Sequence, residues 1–310
     1  MSYVDIASVW EQWLGKGELK GTFLLSIGVD ICRQKDPANE KPLLKEIKDK
    51  VVQDVDESEG TGVWTSEEGM RLHVPIPTIA AAHQFRIASA DADKRKAVKE
   101  AAGDLPWGKH LTENSKNSLV QEDLRMATYG CFLASFIQGL GLLAKANTEN
   151  KWSIDFTKVI DIWRAGCIIQ ADSIADLLEA AYQNSDAGML RNPLGIKNLA
   201  REMKKTFPFI KKVVLFGVEA DAYIPALSAT LEYIKYSFTE EDLPTQFMES
   251  ELDYFGAHDF DLKGGSGEPK TGKCCEHTLI CQVANFHQGR YHFGWNPAKD
   301  VPESKTVSEA

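Results

Sequence analysis

Positive charge is in short supply in this sequence: 35 lysines and arginines face 45 aspartates and glutamates in 310 residues, for a formal net charge of −10. Nucleic acid and acidic membrane surfaces both reward a basic face, so neither is an expected partner. A small phosphorylated ligand stays open, because a local cationic pocket can sit on an acidic protein. Cysteine is sparse, at six residues, and Met1-Ser2-Tyr3-Val4-Asp5-Ile6 lacks the basic and apolar regions of a secretory leader. Free thiols in a reducing, cytoplasmic setting are therefore expected. Successive alternating strands are missing, as is a glycine-rich turn between a strand and a helix, which argues against a sandwich, a barrel or a dinucleotide-binding unit. One stretch, 126–144, lacks charge altogether. Its length suits a membrane span, but it holds Thr128, Ser135, Gln138 and several glycines, without aromatic belts or a basic flank. It reads as a central helix buried on all sides, and no membrane is an expected partner.

What is present is mostly helical pattern. An apolar fraction of 43% and a charged fraction of 26% are those of a soluble globular protein. Val9, Trp10, Trp13 and Leu14 form one stripe of a first helix, and 19–32 carries a second such pattern. Two prolines make 36–42 a loop, and the amphipathic segment 43–55 runs into a polar turn at 56–60. A helix is expected over 75–90, with Pro75 and Pro77 near its start, where proline is tolerated. Long helical stretches follow over 121–147, 156–184, 195–206 and 209–238, punctuated by Asn192-Pro193 and Phe207-Pro208. No internal repeat is visible. The expected fold is all-α, a large helical bundle domain over 1–260. A flexible, locally basic insertion and an irregular tail would occupy 261–310.

Two clusters invite chemistry and fail on context. The run from Gly267 to Lys273 and Cys274 nearly spells a phosphate-binding loop, but cysteine stands where a hydroxyl is needed and no apolar strand precedes it. Cys274, Cys275, His277, Cys281 and His287 fit no pair-plus-pair zinc spacing, so no metal is expected.

The functional signal lies in Glu59-Gly60-Thr61-Gly62-Val63-Trp64-Thr65 and in Leu252-Asp253-Tyr254-Phe255-Gly256-Ala257-His258. Both resemble signature segments of the decarboxylating 6-phosphogluconate dehydrogenases, Lys-Gly-Thr-Gly-Lys-Trp-Thr and Arg-Asp-Tyr-Phe-Gly-Ala-His. Trp163-Arg164-Ala165-Gly166-Cys167-Ile168-Ile169 is similar to that family's Trp-Arg-Gly-Gly-Cys-Ile-Ile run. Ser135-Phe136-Ile137-Gln138-Gly139 resembles its Ser-Tyr-Ala-Gln-Gly segment, and Ile224-Pro225 with Ser228, Leu231 and Tyr233 falls where it has the same residue types. Tyr291-His292-Phe293-Gly294-Trp295 looks like its Phe-His-Thr-Asn-Trp tail. The resemblance covers the chain from about Val9 to Trp295.

It implies the C-terminal, substrate-binding and dimerising half of an enzyme of the pentose phosphate pathway. That enzyme oxidatively decarboxylates 6-phosphogluconate to ribulose 5-phosphate with NADP. The family's NADP-binding Rossmann domain and its catalytic lysine and glutamate would precede this sequence, so no catalytic or cofactor-binding residue is assigned and NADP is not expected to bind this chain alone. Each acid–base group typically contributes about 10²–10⁴-fold, and hydride transfer needs a held nicotinamide, so the chain by itself is expected to be inactive. The resemblance assigns substrate contact to Gly60, Thr61, Gly62, Arg86 and His258.

Two phosphate-gripping cations of the family are replaced, by Glu59 and Leu252. Charge-assisted contacts of that kind are worth about 1.5–3 kcal/mol each, so a phosphate would be held more weakly by orders of magnitude. The substrate is then a phosphorylated or a plain sugar acid. The partner is a second copy or a full-length relative. The alternative function is a non-catalytic dimerisation or metabolite-binding module beside a full-length dehydrogenase. Plainer roles also remain open: local pairing for Arg86, a turn for Thr61, and a helix end with a dimer contact for His258.

Overall fold

The computed structural model describes residues 1–51, 60–107, 121–183, 192–240, 243–256, 258, 260–261, 263, 290–291, 293 and 295. The chain is all-α, in two compact units, Met1–Phe238 and Thr239–Ala310.

The first unit contains ten of the described α-helices: α1 Tyr3–Gly15, α2 Phe23–Arg33, α3 Thr61–Arg71, α4 Pro77–Ala90, α5 Ala92–Ala102, α6 Gln121–Asn150, α7 Phe156–Arg164, α8 Asp172–Gln183, α9 Lys197–Glu219 and α10 Pro225–Ser237. The centre is α6, packed on by α4, α9 and α10. By length and composition alone it would cross a membrane, but half of its most apolar window is buried inside the unit. Leu133, Ile137 and Leu140 join Ile174 and Leu178 of α8 and Leu199, Met203 and Ile210 of α9 in one core. A side chain of this kind contributes about 1.5–3 kcal/mol when fully buried, so this cluster dominates the unit's stability. Gly130 of α6 lets α9 approach closely, since a Cβ there would lie 2.6 Å from Thr206 Oγ1 and 2.7 Å from Ile210 Cδ1.

Polar contacts fasten the same helices. Glu18, between α1 and α2, accepts from Arg125 of α6 at 2.6 Å and from Lys205 of α9 at 2.8 Å. Asp123, buried near the start of α6, pairs with Lys212 of α9 at 2.6 Å.

The helices break where backbone chemistry, rather than residue type, dictates. The stretch 156–184 was expected as one helix and is two, because α7 ends at Arg164 and Gly166 takes φ +134°, a conformation side chains disfavour. Conversely, Phe207-Pro208 does not break α9, which runs through Pro208. One backbone bond is lost there. Apolar residues on both sides of it, Leu199 and Met203 before and Ile210, Val213 and Val214 after, are buried and hold the helix together. The amphipathic segment 43–55 contributes only a 3-10 turn, Leu43–Lys45, among its described residues.

A repeat invisible in the sequence emerges at two corners. At the end of α3, Val74 N–H bonds Gly69 O (2.9 Å) and His73 N–H bonds Met70 O (3.2 Å). At the end of α9, Ala222 N–H bonds Gly217 O (2.8 Å) and Asp221 N–H bonds Val218 O (3.2 Å). This is the Schellman arrangement, with His73 (φ 54°) and Asp221 (φ 51°) in the left-handed position. In each corner the glycine faces an isoleucine, Ile76 or Ile224, which leads through Pro77 or Pro225 into the next helix. The helix starts match as well, Ile76 at φ −125°, ψ 46° and Ile224 at φ −130°, ψ 44°. Thus α3–α4 and α9–α10 are two copies of one corner, and α4 packs against α10.

In the second unit, α11 Thr245–Gly256 is followed by a two-stranded ribbon, β1 Phe260–Asp261 paired antiparallel with β2 Arg290–Tyr291. The anchor is Asp253, fully buried on α11. Its Oδ2 accepts from Phe293 N–H at 3.0 Å and from Trp295 Nε1–H at 2.8 Å. Trp295 also stacks edgewise on Phe293 and meets Tyr254 and Phe260. One carboxylate therefore ties the tail back onto the Asp-Tyr-Phe-Gly helix end.

Candidate functional site

The N-terminus of α3 starts at Gly60, whose lack of a side chain leaves the first N–H groups without a local cap. The nearby hydroxyls do not compensate. Thr65 Oγ1 donates back to Thr61 O at 2.7 Å and Ser66 Oγ to Gly62 O at 2.9 Å. Both hydroxyl protons are thus spent inside the helix, and the end of α3 keeps its donors and its partial positive charge. Thr61 is exposed at that end.

Gly62 is needed for packing. Any Cβ at that position would collide with the imidazole of His83 on α4, which is 8% exposed. Arg86 lies one turn along α4 from His83, on the same side of the helix by its spacing, and is exposed. Gly62 thus packs on α4 one turn from Arg86, beside the exposed start of α3. The segment 52–59, with Glu59, lies outside the described residues.

A buried polar network fixes α4 in place. Gln138 of α6 accepts from Thr78 N–H at 3.1 Å and from Ile79 N–H at 3.5 Å, capping the helix that carries Arg86. Its amide donates to Thr78 Oγ1 at 2.8 Å, and Thr78 Oγ1 lies 3.0 Å from Thr230 Oγ1 of α10. Thr230 in turn donates to Ala226 O at 2.7 Å and meets Cys131 Sγ at 3.4 Å. Burial pushes the Cys131 thiol upward, so it stays protonated.

His258 and Leu252 belong to the second unit. His258 is exposed, with its ring edge-on to Phe255 at 6.1 Å. Leu252 is 40% exposed on α11 next to the buried Asp253. Asp253 escaped sequence reasoning. Its signal was an acid set among aromatic residues, which needed the tail's position to be understood. Gln138 was visible only as part of a segment, and His83 carried no signal at all.

Groups with strongly shifted pKa values lie away from this corner. Burial would raise Glu18, but hydrogen bonds from Lys205 and Arg125 outweigh it and bring the carboxyl to about 2. Tyr233 is pushed up to about 12 by burial. Among the described residues no group of three or more His, Cys, Asp or Glu could hold a metal ion. The candidate zinc cysteines and histidines, and the near-phosphate loop, fall outside the described residues. The corner offers N–H donors and a guanidinium, the equipment for holding an anion.

Comparison with known proteins adds a lineage to this geometry. The model of the family 6-phosphogluconate dehydrogenase, C-terminal domain, matches residues 1–273. The chain is 37% identical over 309 residues to the decarboxylating 6-phosphogluconate dehydrogenase of Emericella nidulans, covering 96% of this chain and 59% of that protein. With the enzyme of Lactococcus lactis subsp. cremoris it shares 31% identity over 268 residues, 86% of this chain and 53% of that protein. A solved Plasmodium falciparum 6-phosphogluconate dehydrogenase, known in apo form and with its cofactor NADP+ and its substrate 6-phosphogluconate, superposes with a TM-score of 0.77 at 26% identity, covering 95% of this chain and 56% of that one. The chain therefore spans little more than half the length of the relatives it matches.

Proposed function

Because the chain belongs to the 6-phosphogluconate dehydrogenase family through its C-terminal domain, we propose that it serves as the substrate-gripping, dimerising half of an NADP-dependent oxidative decarboxylase and does not turn over substrate by itself. The observation that carries this is the α3–α4 corner, where an uncapped helix N-terminus and Arg86 can hold the acidic end of a sugar acid. Thr61 and Gly62 shape that end, and by the resemblance His258 serves the site of a neighbouring subunit.

The described residues do not fit NADP. A dinucleotide needs a strand, a glycine turn and a helix N-terminus in succession. Among the described residues the only strands are the two-residue pair β1 and β2.

The second reading, a binding module beside a full-length dehydrogenase, draws on Leu252 and Glu59. Replacing two cations weakens the hold on a phosphate dianion and favours a sugar acid without one. Exposed Trp64, Met70 and Phe85 are the kind of surface that a homodimer or heterodimer covers. Cys32, Cys131 and Cys167 are free thiols, which suits the cytoplasm.

The test combines calorimetric binding of 6-phosphogluconate and gluconate with NADPH formation by the purified chain, alongside a full-length family enzyme. Binding of a sugar acid that Arg86→Ala abolishes, with no NADPH formed, is the expected result. Turnover near the control rate overturns the inactivity. Absence of binding to either acid, or binding indifferent to Arg86, overturns the substrate grip.

A further inference from the structure

In the second unit a buried carboxylate and an exposed imidazole share one short stretch of chain. Asp253 sits in the last turn of α11, and His258 lies just beyond Gly256, where that helix ends. A fully buried carboxylate must find donors, and Asp253 Oδ2 takes two from the tail, Phe293 N–H and the Trp295 indole.

These bonds act past the helix end. The Trp295 ring also lies 6.4 Å from that of Phe260, the first residue of β1. Strand β1 is itself paired with β2, Phe260 with Tyr291 and Asp261 with Arg290. The tail thus grips the chain on both sides of His258, at α11 through Asp253 and at β1 through Trp295 and β2. Residues 257–259 alone separate Gly256 from Phe260. A connection that short has little reach of its own once both ends are fixed.

A second observation places the ring. A Cβ on Gly256 would collide with the His258 imidazole, so the ring lies close over the last turn of α11. It stands edge-on to Phe255 at 6.1 Å. That position needs the missing side chain at 256 and the aromatic one at 255. It also needs β1 to leave the helix in one direction, and the tail sets that direction.

We infer that Asp253 is a positioning residue for His258. By holding Phe293 and Trp295 it fixes how β1 leaves α11, and so places the imidazole for contact with an anionic group of the substrate. Being fully buried, Asp253 acts through the tail rather than on the substrate. A contact residue on a connecting segment is only as precise as the groups that hold the segment's ends. Without the carboxylate, His258 keeps its chemistry but loses its place. The inference rests on the proposed sugar-acid grip for its ligand and on the second unit alone for its geometry.

The experiment follows imidazole and indole resonances of the full 310-residue chain by nuclear magnetic resonance. No sugar acid is present, so that failure of this inference and failure of the substrate grip are distinguishable. The signal lost in His258→Gln assigns His258, and the indole signal lost in Trp295→Phe assigns Trp295. Asp253→Ala should move both toward the positions of free, solvated side chains, while circular dichroism and melting of the helices stay those of the parent. Trp295→Phe keeps a ring for Phe293, Tyr254 and Phe260 but has no N–H to donate. It should move the His258 signal part of the way in the same direction. Glu251→Ala, which removes an exposed acid from the same helix, should move neither signal. A His258 signal that stays in place in Asp253→Ala or in Trp295→Phe, or that Glu251→Ala moves as far, overturns the inference. Calorimetric titration with 6-phosphogluconate then reads the consequence. Asp253→Ala and His258→Gln should each weaken binding about tenfold or more, and the double variant no further than either alone. Additive losses overturn the inference, because the two residues would then contribute independently.

Discussion

The α3–α4 and α9–α10 corners share one backbone and have opposite uses. Both end a helix in a left-handed residue, press a glycine onto an isoleucine and restart after Ile–Pro. In the α9–α10 corner the outer positions are Ile210, Val213, Val214 and Ile234, all buried. In the α3–α4 corner the same positions are Gly62, Thr65, Ser66 and Arg86. A backbone that closes a core in one place thus carries small and polar residues in the other. The corner's shape is paid for by its glycine and its capping bonds, and the outer residues are free to be either apolar or functional.

The sharpest way to break that comparison is to truncate the matched pair Ile234 and Arg86. Ile234→Ala should cost about 2–5 kcal/mol, the range for deleting a buried branched side chain. Arg86→Ala should cost within about 0.5 kcal/mol, as for an ordinary surface change. Urea unfolding followed by circular dichroism measures both. Equal losses would mean that the α3–α4 corner is as structural as its copy.

Next in size is the link between the corners. Gln138→Leu removes the acceptor that caps α4 and orphans the buried Thr78 N–H, while the Thr78 hydroxyl keeps Thr230. Such an orphan costs about 1–3 kcal/mol. The same variant should weaken sugar-acid binding if α4's placement matters to Arg86, whereas a loss confined to stability would detach the network from the site.

These features were unequally legible in the sequence. The central helix α6 was readable because an uncharged stretch of that length has few other fates. Pro208 misled, since local breaking chemistry lost to buried apolar residues on both sides of it. The repeat was hidden because little beyond Gly69 and Gly217 with their Ile–Pro steps is shared between corners, and the outer faces diverged with their uses. Thr61 and Arg86 carried no local signal of function. Only the family resemblance pointed to them. Asp253 was unreadable for a different reason: its partners, Phe293 N–H and the Trp295 indole, lie far along the chain.

Acid tests whether the connection between α1 and α2 is held to α6 and α9 through Glu18. Its carboxyl ordinarily titrates near 4.5 and is held at about 2 in the folded chain. A depressed folded pKa gives stability that is complete above the unfolded value and is lost as pH falls. The loss should therefore run from about pH 4.5 down toward 2. Glu18→Gln should flatten that part of the melting-temperature profile and leave neutral-pH helicity intact. An unchanged acid slope in the variant would move the dependence to other carboxylates.

The smallest effect is the most direct check that the corners are equivalent. His73 and Asp221 occupy the left-handed position, where an L-residue pays roughly 1–2 kcal/mol of steric strain, though His and Asp are among the residue types that tolerate it best. Glycine would relieve the strain but lose about 0.5–1 kcal/mol through the freedom it gains in the unfolded chain. His73→Gly and Asp221→Gly should each stabilise by less than about 1 kcal/mol, and by similar amounts. Equal gains in paired thermal melts would show two copies of one backbone device. A gain at Asp221 with a loss at His73 would mean that the exposed imidazole has a role at the open corner that the closed one does not need.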